Sequence, residues 1–545
     1  MEFAFVLSQG GDVVGKVYMG PVPDTPAVQA VAELLGEFHA KLLAVVPQWK
    51  DRLRCDPSCL HELEGDIRGV FAQGADFAVA GLLAMVMQQP EFEQACEQTR
   101  CSHQQPLRKG RVRTIQVRLL GGLVIWITSL YCVPRKSSTS ASTEAVSGLD
   151  IELAQFGFGK GCTPALESRV VRQAALGPSF DFACEELARG GVRMDVKTVR
   201  RITYQCGEGM LRWRRVMVES FRENRLPAGT ELRGKRVAVQ FDGARTRLRG
   251  PLTAVQRGPE PTDADGLPTT NTPGRSRKRP KRTFLAEWRE PKQLIIFTHD
   301  EHGRMEPDSV TVIDVTFAGP DAIAELAAMH LHRLGAAEAA SITFGGDGAV
   351  WIWERIASIV RLAKLERVPR YEVLDCCHAA HHISLALAAM GLNDKERMPL
   401  YREHRTRLRN GEWRRVVTEL TELAATAPAN EKVQTEIAYL QKHGAAGRLK
   451  YPTFVALGLP LGSGAIESGI RRVINLRVKG NGIFWRDDNA EAILQVRCQM
   501  MGSEWDSRLE AMRRNRRQDS RTSWHWEPRA MNKEPELVPP NNPSP

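Results

Sequence analysis

The sequence reads as having little of a strong secretory leader, of apolar runs expected to span a bilayer, or of a cysteine framework. Its opening stretch, MEFAFVLSQGGDVVGKVYMG, carries an early acid and lacks a basic segment followed by an apolar core, so it makes a poor signal peptide. The most apolar runs, FAVAGLLAMVM and LLGGLVIWITSLY, stop short of the ~20 residues that cross a bilayer. Eleven cysteines in 545 residues, an odd number without framework spacing, fit reduced thiols better than disulfides. These absences lead to the expectation of a cytoplasmic protein.

What is present is length and positive charge. A chain of 545 residues exceeds one ordinary core and suggests roughly three or four domains. The 75 Lys and Arg against 64 Asp and Glu leave +11 and a pI near 9.2, a tilt toward a polyanionic partner that identifies none.

Apolar periodicity divides the chain. Residues 1–133 read as a mixed domain: helical spacing over 28–98, then a β-hairpin turning at Gly121-Gly122. The Ser/Thr-rich stretch 134–150 reads as a linker. In 151–230, two helices separated by Gly190-Gly191, the second carrying Lys197, Arg200 and Arg201, resemble a helix-turn-helix; an ordinary helical hairpin with a solvated basic face is the alternative. Residues 231–392 give strand, strand, strand, helix, strand, helix, strand, which predicts an α/β fold with a mixed five-stranded sheet flanked by helices. The Pro/Gly/Thr-rich segment 257–282, with six basic residues between Arg275 and Arg282, reads as a mobile loop. An all-helical insertion is expected over 393–455, a final helix of the same core over 456–515, and a disordered tail over 516–545.

Two strands end in aspartate. Asp242 follows VAVQF, and Asp347 follows ITFGG. If these strands are neighbours, both carboxylates meet at the sheet end where α/β sheets place their ligand chemistry. Two carboxylates so close repel unless a cation neutralises them, and a hard divalent ion such as Mg²⁺ does so. Glu467 is the candidate third acid: Ile466, Ile470, Val473 and Ile474 mark a buried stripe beside it, with Ser463 a plausible helix cap. Taken singly, a solvated loop acid and a first-turn glutamate explain Asp347 and Glu467 as well.

Together, the ordered motifs FDGARTRLR, EWREPK, GGDGAVWIW, DCCHAAHHI and GSGAIESGIRRVINLRVKGNGIFW resemble the DDE transposases of bacterial insertion sequences, of the ISKra type, over roughly residues 180–510. The resemblance implies an RNase H-like core with Asp242, Asp347 and Glu467 as catalytic and metal-binding triad. It implies Asp375 and His378 as a D-x-x-H element that orders the site or contacts the scissile strand. It also implies two Mg²⁺ or Mn²⁺ ions, endonucleolytic cleavage at transposon ends, and strand transfer into target DNA. Arg471, Arg472, Arg477 and Lys479 are expected to take phosphates, Trp485 either stacks on a base or packs in the core, and the glycines around Asp347 are expected to admit a DNA backbone. The partners implied are terminal inverted repeats and target DNA, with a homo-oligomer on DNA in the nucleoid. One departure is the lack of paired cysteines. Cys96 and Cys101 are separated by four residues, not two, so scattered core cysteines are expected in preference to a zinc site at Cys96, Cys101, His103 and Cys132. The alternatives are a transposase relic that binds DNA without cutting and a metal-independent carboxylate-pair hydrolase.

Overall fold

Residues 3–9, 12–19, 27–102, 107–134, 148–159, 161–250, 285–480 and 483–516 are described by the computed structural model. The expected basic loop 257–282, most of the linker, His103 and nearly all of the expected tail lie outside them. The chain divides into two compact units: one reaches Arg214 and takes in the chain from Trp505, and the other runs from Arg215 to Glu504. The division falls within the long helix Val196–Arg222, not at residue 230. The last helix, Trp505–Arg516, belongs with the N-terminal unit, where Arg508 lies 3.6 Å over Trp213 and Arg172 5.7 Å over Trp505. This division differs from the expected boundaries at 230 and 515. Arginine–tryptophan stacking decides the second, and helical periodicity cannot report it.

In the N-terminal unit, β1 (Phe3–Gln9) and β2 (Asp12–Met19) form a hairpin where the sequence was weighed only as a leader. β1 pairs with β4 (Val124–Pro134), which pairs with β3 (Leu107–Arg118) about the expected turn. β5 (Leu149–Asp150) also pairs with β4, so the end of the expected linker is part of this sheet. The buried Asp76, on the helix Leu60–Met87, accepts from the backbone N–H of Gly121 (2.9 Å) and Leu123 (3.0 Å) and so fixes the hairpin turn. The apolar run FAVAGLLAMVM closes that helix, and Pro57–Met87 is long and apolar enough to cross a membrane, with 39% of its apolar window buried in the protein. Phe77, Ala80 and Ala84 pack there on Val117, Ile125 and Ile127.

The second unit is built on a five-stranded mixed sheet in the order β10-β9-β6-β11-β12. β6 (Arg236–Gly243), β9 (Lys292–Thr298) and β10 (Val312–Thr316) run antiparallel; β11 (Ser341–Gly346) and β12 (Arg370–Leu374) run parallel to β6. Alternation sends Val237, Val239, Phe241, Leu294 and Ile296 to one face, where the helices Pro320–Arg333 and Val350–Leu362 bury them. The other face carries Gln240, Asp242 and Gln293 and packs against the helix Gly464–Gly469. The all-helical insertion is present as Asp394–Arg409, Trp413–Thr426 and Glu431–Ala445, the first opened by a capping box from Asn393 and Glu396. A two-stranded hairpin, β7 (Thr246–Gly250) with β8 (Leu285–Arg289), was not foreseen.

Candidate active site

β6 and β11 pair from Arg236 opposite Ser341 to Gln240 opposite Gly345. Carried two residues further, the same offset places Asp242 level with Asp347 on strands ~4.8 Å apart. Glu467 reaches this end of the sheet because its helix is fastened to it. Gln240 Nε2 donates to the Gly462 carbonyl (2.8 Å) and Gln240 Oε1 accepts from Ile466 N–H (3.3 Å), while Cys376 N–H donates to the Leu461 carbonyl (3.0 Å). Gly469 lies so close that a Cβ there would stand 2.3 Å from Gln293 Nε2. Ile466, Ile470, Val473 and Ile474 are all buried, as expected. Ser463 does not cap the helix; its hydroxyl donates to Glu467 Oε1 (2.6 Å) and holds that carboxylate instead.

Beyond Glu467 the helix widens into a π segment, Ile470–Asn475, the kind of irregularity that gathers at functional sites. Arg497, buried on the helix Asp487–Met501, donates to the carbonyls of Val473 (2.7 Å) and Arg472, steadying that segment.

The acids sit in different surroundings. Burial pushes Asp242 up to about 6, with the charges of Asp347 and Glu467 adding to it, while the Gly243 N–H (2.6 Å) and His378 work in the other direction. Asp347 Oδ1 accepts from Ala349 N–H (3.0 Å), and the Asp347 carbonyl accepts from Tyr439 OH (2.7 Å). Glu467 is half exposed. Asp375 is buried, which alone would raise it, but donors from His378 and Ser463 more than offset this and bring it down to about 2. Its Oδ1 accepts from His378 N–H (2.7 Å) and so caps the helix Cys376–Ala389; its Oδ2 accepts from Ser463 N–H. The neighbouring Asp375 carboxylate raises His378, whose Nδ1 lies 3.3 Å from Asp375 Oδ1 and 4.0 Å from Glu467 Oε1.

Asp375, His378 and Glu467 bring their ligand atoms within 4.8 Å of one another, so the tightest cluster is not the expected triad. Asp375 is nevertheless a poor ligand, since both of its oxygens already accept backbone N–H groups. Asp242, Asp347 and Glu467 fit a hard divalent cation better. They offer oxygen ligands, and Asp242 is held toward its neutral form by burial and by its two neighbours, a pressure a bound cation relieves. Beside Asp242, across the β6–β9 pair, the fully buried Gln293 amide has no hydrogen-bond partner among the described residues.

Two of the glycines around Asp347 have a packing reason within the protein. A Cβ on Gly346 would meet Ile352 Cδ1 at 2.8 Å, and one on Gly348 would meet Tyr439 OH at 2.1 Å; Gly348 also has φ +92°. Protein packing excludes side chains at Gly346 and Gly348, whereas a Cβ on Gly345 would meet nothing nearer than Gln240 Cγ at 3.4 Å.

Arg471, Arg472 and Lys479 are exposed near Glu467. Arg477 is not part of that face: it is 4% exposed, with its guanidinium 5.0 Å over Trp485, which is itself buried and bridged to Leu248 of β7. Lys197, Arg200 and Arg201 are exposed on the first turns of the helix Val196–Arg222, in the N-terminal unit. That helix runs 27 residues, and its N-terminus is capped by Asp195, which accepts from Thr198 N–H (3.0 Å). Cys96 and Cys132 lie in a small apolar cluster with Leu107 and Ile151, where burial pushes the Cys96 thiol up to about 12; Cys101 is exposed.

Sequence reasoning missed Gln240, Gln293 and Tyr439. The glutamines left a signal, each a polar residue at the end of an apolar strand and in phase with or opposite Asp242. Tyr439 left none. It reaches Asp347 from the helical insertion, and it stacks on His382 at 3.5 Å, which in turn contacts Glu436. Compared with protein-family models, curated proteins and solved structures, the chain gave no match.

Proposed function

We propose that this protein is a DDE transposase with an RNase H-like catalytic unit, cutting DNA strands at the ends of an insertion sequence and joining them to target DNA. The observation that carries the reading is the level placement of Asp242 and Asp347 on adjacent parallel strands, with Glu467 on a helix fastened to the same face. The sheet order supports it: an antiparallel meander of three strands, followed by two parallel ones on the other side of the first, is what the RNase H-like expectation requires.

Asp242, Asp347 and Glu467 would hold two divalent ions, Mg²⁺ or Mn²⁺, which when bound supply an activated attacking oxygen and a neutralised leaving oxygen. The chain's own residues arrange the rest. Asp375 and Ser463 orient Glu467 through one contiguous set of hydrogen bonds. His378, whose affinity for a proton the Asp375 carboxylate raises, stands beside the triad and offers a ring N–H donor for a scissile phosphate. Arg471, Arg472 and Lys479 extend that charge along the helix, and the exposed Lys197, Arg200 and Arg201 offer a second phosphate-binding surface for end recognition. Binding should weaken steeply with salt, and joining two ends calls for a dimer or larger assembly.

The test is cleavage of a labelled transposon-end duplex by the purified full chain with Mg²⁺, with EDTA, and with Asp347→Asn. Metal-dependent nicking that falls roughly a thousandfold or more in the variant, with end binding retained, supports the reading. Cleavage that persists in EDTA, or in Asp347→Asn, overturns it.

A further inference from the structure

The β6–β9 pair does not stop at the acid site. Asp242 stands opposite Gln293 and Gly243 opposite Lys292, then Ala244 N–H donates to the Pro291 carbonyl (3.1 Å), and pairing resumes with Thr246 opposite Arg289. The β7–β8 hairpin is therefore a continuation of the catalytic ribbon, and its middle, Arg247, is five residues from Asp242, a reach of roughly 16 Å at most.

Alternation gives the hairpin two different faces. On the inner face, Thr246 and Leu248 are almost fully buried. The edge of β7 away from β8 is fastened to the segment beyond the Glu467 helix: Leu248 bridges to Trp485 and Arg249 N–H donates to the Trp485 carbonyl (2.7 Å), while on β8 Arg289 pairs with Asp487 (2.9 Å). The outer face carries Arg245, Arg247, Arg249, Ala286 and Trp288, and the exposed Glu290, opposite Arg245 at its base, is paired with Lys292 (2.6 Å). Trp288 is 52% exposed, an expensive way to display a large aromatic surface. Two guanidinium groups lie over its ring, Arg247 at 4.5 Å and Arg245 at 5.6 Å. A rigid ribbon that leaves the acid site and shows water an indole flanked by arginines has the chemistry that holds unpaired nucleotides: a π-face for a base and fixed cations for the phosphates on either side.

We propose that the outer face of this hairpin, which alternation puts on the side of the ribbon opposite Asp242, is a stacking platform for an unpaired base where the DNA strand passes around the ribbon's edge on its way from Asp242, Asp347 and Glu467. The proposal rests on the nuclease reading of that site and adds the form of its substrate: a strand locally opened beside the scissile bond. Trp288 is a binding residue here, and the arginines fix the flanking phosphates.

The experiment measures binding of oligothymidylate and of a duplex end to the full chain and to Trp288→Ala, Trp288→Phe and Arg247→Ala, with thermal melting as a check on folding. Trp288→Ala should weaken oligothymidylate binding about tenfold or more, Trp288→Phe should retain most of it, and duplex binding should change little. Arg247→Ala should lower the salt slope for the single strand by about 0.7. Photo-crosslinking of wild-type protein to an oligonucleotide bearing 5-iododeoxyuridine should map to Trp288, and this arm does not depend on any variant folding. Equal binding by Trp288→Ala, equal loss in Trp288→Phe and Trp288→Ala, or a crosslink that maps elsewhere overturns the platform. If wild-type protein nicks the duplex but binds no oligothymidylate, the platform falls and the nuclease reading stands. If it neither binds nor cleaves any DNA, both fall.

Discussion

Asp242 and Asp375 end two strands of the same sheet, and both are largely removed from water, yet they are driven in opposite directions. Asp242 has one backbone donor, from Gly243, and two neighbouring acids, so burial and repulsion raise it to about 6. Asp375 receives backbone donors on both oxygens and falls to about 2. Burial is common to both, and the count of aimed N–H groups separates them. The first carboxylate is costly to keep charged and so has something to gain from a cation. The second is already satisfied and works as a joint between β12, the helix Cys376–Ala389 and the loop leading to Glu467.

This contrast can be broken experimentally, beginning with the largest effect. Asp242→Asn should lower metal-dependent cleavage roughly a thousandfold while leaving the fold intact, measured as nicking of the labelled end duplex alongside circular dichroism. Full activity in that variant would remove Asp242 from the chemistry. Asp375→Asn should act on stability first. It leaves one neutral acceptor for two backbone N–H donors, so one charge-assisted hydrogen bond weakens and the other is lost because the amide NH2 cannot accept, at a cost of about 3 kcal/mol, read from denaturant midpoints. Because Asp375 titrates below its ordinary range in the folded protein, its contribution is complete above ~4 and is lost as pH falls through about 2. The variant should therefore lack part of the acid limb of the unfolding profile.

Gly348→Ala tests the support of Asp347. A positive φ together with a Cβ 2.1 Å from the Tyr439 hydroxyl should cost about 2–3 kcal/mol, whereas Gly464→Ala, which has open space around it, should melt close to wild type. Equal melting of the two variants would show that Tyr439 yields freely. The smallest effect is also the one that sharpens the contrast most. The folded, metal-free protein holds a proton on Asp242 that the unfolded chain releases, so this stabilisation is complete below ~4 and is lost as pH rises through about 6. Asp242→Asn should remove that loss and leave the metal-free protein about 2 kcal/mol more stable than wild type at neutral pH. Mg²⁺ should raise the melting temperature of wild type alone.

Much of this was legible in the chain. The five strands, their two intervening helices, the three-helix insertion and the buried stripe around Glu467 all follow from local periodicity, because each element must bury one face whatever it packs against. Asp242 and Asp347 could be singled out because a carboxylate ending an apolar strand is conspicuous. Other features were not legible. Arg477 lies within a run of basic residues that otherwise stay exposed, and it is buried with its guanidinium over Trp485. The glycines beside Asp347 invited a ligand's explanation, and the structure supplies a protein one in Ile352 and Tyr439. The helix Trp505–Arg516 reads as the end of the second unit and packs in the first.

By itself the sequence determined the alternation of strands and helices, the excess of positive charge and the candidate acids, since these depend on residue type and on spacings of a few positions. Tertiary structure alone decided which acid is burdened and which is satisfied. That outcome depends on N–H groups brought from Ser463 and His378 to one aspartate and not to the other, across as many as 88 positions of chain. Hydrogen-bond direction and local dielectric are properties of assembled neighbours, and no spacing of letters carries them.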